Sequence, residues 1–352
     1  QVHGGGFYHV QKYLVAPAQM PDDLIWFKWE SYSTWLSGFA LLILVYYLGA
    51  EFYLVDPTVA ELANWQAVGI SLLSLGFGWL VYDQICKSKF GDNNTRLMIG
   101  LYVILVGMAY FYTSVFSGRA ALLHLGAFTA TIMSANVFFI IMPNQRIVVA
   151  DLKAGRVPDA KYGKIAKQRS THNNYLTLPV IFLMLSNHYP LAFASEMNWL
   201  IAALVFLMGV TIRHYFNSLH ARQGNPTWTW AVTALLFVTI MWLSTAPMFR
   251  SVEPEKATGP ALRFAQAEGF DRVHDIVRGR CSMCHAAEPA WDGLLWPPKS
   301  IRLETEHQIA SAARQIYLQA GVTDAMPPAN LSHMQASERA EIVAWFNAAT
   351  QD

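Results

Sequence analysis

Apolar residues gather into seven long stretches before residue 250, at about 33–54, 64–85, 97–117, 120–142, 174–194, 197–217 and 228–248. Each is long enough to cross about 30 Å of hydrocarbon as a helix. Short connections separate them, and tryptophans sit near their ends (Trp26, Trp29, Trp65, Trp199, Trp228, Trp230), where an interfacial belt is expected. The pattern then changes. Residues 250–260, with Glu253, Pro254, Glu255, Lys256, Gly259 and Pro260, read as a polar linker. Beyond it, Phe270 to Arg280 has amphipathic helical spacing, and Ser337 is placed to cap a closing helix containing Ile342, Val343, Trp345 and Phe346. The expected fold is all-α, with a polytopic transmembrane helix bundle of seven crossings over 1–249 and a small all-α domain over 261–352. No signal peptide or internal repeat is legible, and the abrupt opening on Gln1-Val2-His3 reads as a truncated sequence.

Charge gives the orientation. Fifteen Lys and Arg precede residue 250. With the N-terminus in the cytoplasm, thirteen fall on that side: Lys12 and Lys28, then Lys87, Lys89 and Arg96, then seven between residues 143 and 172, then Arg222. Arg119 is external and Arg213 lies within a helix end. Cytoplasmic loops carry the excess of positive charge, so an odd number of crossings puts the last domain outside. The composition, 54% hydrophobic and 14% charged with a net charge of +1, fits a bilayer protein and speaks against nucleic acid as a partner.

The last domain carries Cys281-Ser282-Met283-Cys284-His285, a CxxCH signature. Two thiols at this spacing add across the vinyl groups of a haem, and the adjacent imidazole then ligates the iron, so haem c is the expected cofactor. A zinc site would need further ligands at finger-like spacing, and the remaining cysteine, Cys86, is far away and reads as a packing residue. Met326, in Asp324-Ala325-Met326-Pro327-Pro328, is the expected second axial ligand; Met334, His307 and His333 compete, with His307 and Met334 in segments that read as helical. Haem c is attached outside the bacterial cytoplasm, which agrees with the charge pattern: a multi-pass protein of the bacterial inner membrane with a periplasmic cytochrome c domain.

Ionisable groups within membrane spans are functional candidates by default. His124 and His188 fall toward the outer face; His172, His214 and His220 fall toward the inner face, joined by His3 and His9. Arg169, Asn173 and Asn174 accompany His172, and Arg213 and Asn217 accompany His214. Such a mixture of cation, amide and imidazole suits a planar anion rich in hydrogen-bonding groups. Interfacial or interhelical hydrogen bonding is the plainer reading of any one of these histidines. His124 lies among small residues that permit close helix packing, so it is expected to face the bundle interior and is a candidate ligand of a second haem or metal. Glu30, Glu51 and Asp83 sit at segment margins and read as interfacial.

The blocks HGGGFYHVQKY (His3 to Tyr13), KWESYSTWLSGF (Lys28 to Phe39), SANVFFIIMPNQ (Ser134 to Gln145), QRSTHNNYLTLP (Gln168 to Pro179) and SNHYP (Ser186 to Pro190), followed by a CxxCH domain, resemble the membrane-bound urate oxidase (urate hydroxylase) family of bacteria. The resemblance implies oxidation of urate to 5-hydroxyisourate, with electrons leaving through the haem c to a soluble or membrane cytochrome or terminal oxidase instead of directly to oxygen. It also implies a further helix before the first block, giving eight crossings in the intact family domain. Urate must lose two electrons and accept a water oxygen. On this resemblance Arg213, Arg169, Asn173, Asn174 and Asn217 are expected to bind it, and His172 or His214 to take the proton.

An inner urate site would lie about 30 Å of hydrocarbon from an external haem. Either a second redox centre, with His124 and His188 as ligands, lies between, or urate binds nearer the outer half. Two other classes compete. A membrane-anchored electron-transfer cytochrome would not need polar clusters in its spans, and a quinol:cytochrome c reductase subunit would show histidine pairs along its helices, a repeat not legible here.

Overall fold

The computed structural model describes residues 2–3, 6–7, 28–56, 59–193, 195, 197–246, 256–291, 294 and 296–350. His9, Lys12, Trp26 and residues 250–255 of the expected linker lie outside the described residues, as does the side chain of His3. Apart from a hairpin pairing Val2–His3 with Gly6–Phe7, the described elements are helical.

The first expected span forms α1 (Lys28–Leu42), a π-helical turn (Ile43–Tyr47) and, past Gly49, α2 (Ala50–Tyr53). Next come α3 (Asn64–Lys87) and α4 (Asn94–Val115). Then α5 (Gly118–Ala135) runs through a π-helical segment (Asn136–Ile141) into α6 (Met142–Lys153). The bundle is completed by α7 (Ala160–Leu185), the short α8 (Pro190–Phe193), α9 (Asn198–His220) and α10 (Trp228–Thr245).

Among the described residues, five helices are long and apolar enough to cross a membrane: α3, α4, the continuous 118–153 run, α9 and α10. The expected spans at 33–54 and 174–194 differ from these for visible reasons. The first is interrupted at Gly49. The second belongs to α7, whose first half carries Lys161, Lys164, Lys167 and Arg169 and whose end at Leu185 is followed by a 3-10 turn. The outward faces are strongly apolar. On α10 only Thr229 is buried, while Leu235, Phe237, Val238, Met241 and Trp242 are exposed. Such a surface is stable only against hydrocarbon or another apolar surface.

Helix α5 is central, packing against α3, α4 and α7. Its small residues allow this: a Cβ on Gly126 would stand 3.0 Å from that of Leu183 on α7. Pro179 inside α7 is accommodated by Gly209 of α9, where a Cβ would stand 2.6 Å from the proline ring. A larger residue at either glycine would force the helices apart.

Buried apolar residues fall into two clusters, one between Leu42 and Phe206, the other between Ala257 and Phe346. The second is built by α11 (Leu262–Gln266), α12 (Phe270–His285), α13 (Glu306–Ser311), α14 (Ala313–Ile316), a π-helical turn (Tyr317–Val322) and α15 (Ala336–Thr350). Trp345 is its largest buried side chain, and its Nε1 donates to the Phe264 carbonyl at 2.8 Å. The helix expected over Phe270 to Arg280 forms and runs on to His285, with the whole CxxCH segment in its last turns. Two local expectations are corrected. Helix α15 starts at Ala336, so Ser337 lies inside it; Glu338 Oε2 instead accepts the backbone N–H of Gln335 at 2.7 Å and caps the start. Met334 lies before that helix, buried in the domain core.

Candidate functional site

Helix α7 presents polar side chains to two different neighbours, and the expected inner cluster divides accordingly. Toward α3 and the π segment it presents Arg169 and His172, both buried. Arg169 donates from Nη2 to Asp83 Oδ1 at 2.7 Å and from Nη1 to Asn136 Oδ1 at 3.3 Å, and its guanidinium covers the Tyr82 ring. Asn136 Nδ2 donates to Tyr82 Oη and to Asn173 Oδ1, and Asn173 Nδ2 to the Met133 carbonyl. The Tyr82 hydroxyl meets His172 Nδ1 at 2.7 Å. Asp83, read as interfacial, is in fact 3% exposed and holds two cations, Arg169 and Lys87. Its charge is required there because an unpaired guanidinium at that depth would be very costly.

Toward α9 the same helix presents Asn174 and Tyr175. Asn217 Nδ2 donates to Asn174 Oδ1 at 2.9 Å, Arg213 Nε to the Asn174 carbonyl at 3.1 Å, and the Tyr175 hydroxyl meets His214 Nδ1 at 3.1 Å. The His214 ring also lies 6.2 Å from that of Trp228 on α10. These side chains are half-buried, and no carboxylate pairs with Arg213 among the described residues. The two groups therefore differ in kind. The first is closed and its buried Arg169 is neutralised; the second is half-buried, and its Arg213 has no carboxylate partner among the described residues. His220 is exposed and joins neither.

The sequence did not point to Tyr82, Asn136 or Tyr175. Asn136 opens the π segment, whose extra residue per turn rotates its amide inward, an arrangement that periodicity does not show.

His124 is fully buried, as its small-residue surroundings required. Its Nδ1 donates to the Ala120 carbonyl at 2.8 Å, and its ring is boxed by those of Tyr46, Tyr112 and Phe116. His188 is exposed in the turn after α7, and no hydrogen bond or ring contact joins it to His124 among the described residues. Nor do three His, Cys, Asp or Glu side chains converge on a metal position among those residues.

In the last domain Cys281 and Cys284 are free thiols on one side of α12, both half-buried. Burial, with Cys284 adding to it, pushes the Cys281 thiol up to about 12. His285 Nδ1 donates to the Ile301 carbonyl at 2.8 Å, which fixes the ring and leaves the lone pair on Nε2. Met326 is half-buried against the domain core. Among its expected competitors, Met334 is enclosed, His307 contacts Ser311 and His333 is exposed.

The fold and these interior polar groups define a multi-helix protein of membrane type. Its residues 1–244 match the urate oxidase N-terminal family, and the chain belongs to that family. Comparison with characterised proteins and with solved structures gives no match.

Proposed function

We propose that the chain oxidises urate to 5-hydroxyisourate in its helical bundle and passes the electrons to a haem c held by its last domain, and from there to a soluble or membrane cytochrome or terminal oxidase. The family membership supports the substrate. The observation that carries the rest is the pairing, in one chain, of an open cationic cluster at Arg213 with a CxxCH helix whose His285 is oriented through Nδ1. Seven crossings in a bacterial inner membrane, with the N-terminus in the cytoplasm and the C-terminal domain in the periplasm, belong to the same reading.

In it, Arg213 and the amides of Asn174 and Asn217 bind the urate anion, Arg213 through the guanidinium nitrogens beyond Nε. His214 takes the proton. It acts as a base at Nε2 when its Nδ1–H is donated to Tyr175, so Tyr175 selects the useful tautomer. His172 is assigned the other role: Tyr82, already accepting from Asn136, donates to Nδ1, which leaves Nε2 protonated. Arg169 and Asn173 are then scaffold, not substrate ligands. Cys281 and Cys284 would form the thioether bonds of haem c, and His285 and Met326 would hold its iron. The group supplies one-electron acceptance.

An inner site at Arg213 would lie about 30 Å of hydrocarbon from an external haem, so this reading needs either a second electron carrier between them or a urate site nearer the outer half. No step is assigned to His124 or His188. The test is spectroscopic. Purified protein should show a thioether-bound haem that is reduced anaerobically by urate and not by a quinol, and Cys281→Ser with Cys284→Ser should abolish it. A haem that stays ferric with urate would overturn the reading. A reduced-minus-oxidised spectrum of protein ending before residue 250 separates the two: a remaining haem signal supports the second carrier, and its absence removes it.

A further inference from the structure

Arg314 is 4% exposed on α14, and the charges near it belong to the other half of the chain. Its Nη2 donates to the backbone carbonyl of Glu51 at the start of α2. Burial lowers its pKa, and Asp56, itself buried, and Glu51 act in the opposite direction. A buried guanidinium is tolerated only beside compensating acceptors or charge. No carboxylate of its own domain forms an ion pair with it among the described residues.

Two further contacts connect the same surfaces. Arg263 at the start of α11 pairs with Glu61. Helix α8 packs close to the Pro298–Ser300 turn. That turn leads directly into Ile301, whose N–H donates to the Pro298 carbonyl at 3.2 Å and whose own carbonyl holds His285. The bundle thus touches the segment that orients the histidine of CxxCH.

We propose that Arg314 on the Glu51 carbonyl, in the field of Asp56, with Arg263 on Glu61, forms a latch that fixes the C-terminal domain on these three residues of the bundle in one orientation. Arg314 is a positioning residue: it acts by holding the last domain against the bundle. The functional part of this inference rests on the reading of the last domain as a haem c carrier. The docking part does not.

The full-length protein in nanodiscs tests both parts. Amide exchange in segments 50–61 and 306–316 should rise together in Arg314→Glu and return toward wild type in Arg314→Glu/Asp56→Arg. This readout needs neither haem nor urate. Reduction of the haem by urate should slow about tenfold or more in Arg314→Glu, with haem content and the dithionite-reduced spectrum unchanged. The charge-swapped pair should recover most of the rate, which a merely misfolded variant would not do. Unchanged exchange in Arg314→Glu, or failure of the swapped pair to recover either readout while unfolding at the wild-type temperature, would overturn the latch. Absence of haem from the wild-type protein would instead defeat the carrier reading and leave the exchange result to decide the docking.

Discussion

Arg169 donates to Asp83 at 2.7 Å with both side chains almost fully enclosed, and Lys87 reaches the other oxygen of the same carboxylate at 2.6 Å. Breaking such a pair leaves a charge stranded among apolar side chains. Asp83→Asn should therefore destabilise the bundle by about 3–5 kcal/mol. Thermal unfolding in detergent checks this; Asp83→Asn melting with wild type would mean that Arg169 finds its compensation elsewhere.

Arg213 makes one hydrogen bond from Nε to a carbonyl and pairs with no carboxylate among the described residues. Arg213→Gln should raise the KM for urate about tenfold to a hundredfold while leaving the folded bundle intact, because charge-assisted bonds contribute roughly 1.5–3 kcal/mol each. Steady-state kinetics beside a melting curve separates lost binding from lost folding.

Tyr175 fixes the tautomer of His214 in the proposed site. Tyr175→Phe should lower kcat with little change in KM, and His214→Gln should lower it much further, whereas the conservative Tyr82→Phe should act on stability first. Equal kcat losses at Tyr82 and Tyr175 would favour His172 as the base.

In the C-terminal domain burial raises the Glu338 pKa, but the Arg280 fork, at 3.0 Å and 3.1 Å, and the Gln335 N–H outweigh it and hold the carboxyl below the usual range. A carboxylate whose folded pKa is depressed stabilises the fold above its unfolded pKa and ceases to do so as pH falls through the folded one. The domain should thus lose stability on acidification below about pH 4, the unfolded glutamate pKa. Glu338→Gln should be less stable than wild type at neutral pH by about 1–2 kcal/mol and flatter across that window. Circular dichroism melts between neutral and acidic pH measure both.

Long apolar stretches announced most of the bundle helices, because a lipid-facing helix must be apolar on every outward position, as α10 is. The CxxCH helix was equally plain, since its chemistry is local. The pairing of interior polar groups was not. Asp83 and Arg169 are brought together from α3 and α7, and Asn136 enters through a π segment, so their meeting depends on helix rotation that one sequence does not encode by spacing. For the same reason His172 and His214, which look alike as helix-end histidines, turn out to have different companions. His124 is enclosed on α5, whereas His188 is exposed in the turn after α7.

Helix α7 carries Arg169 and His172 toward one neighbour and Asn174 and Tyr175 toward another. The enclosed ion pair therefore clamps the very backbone from which the open cluster is hung. Damage to the clamp would misplace Asn174 and Tyr175 without removing either, so a loss of turnover caused at Asp83 is a fault of alignment at a distance.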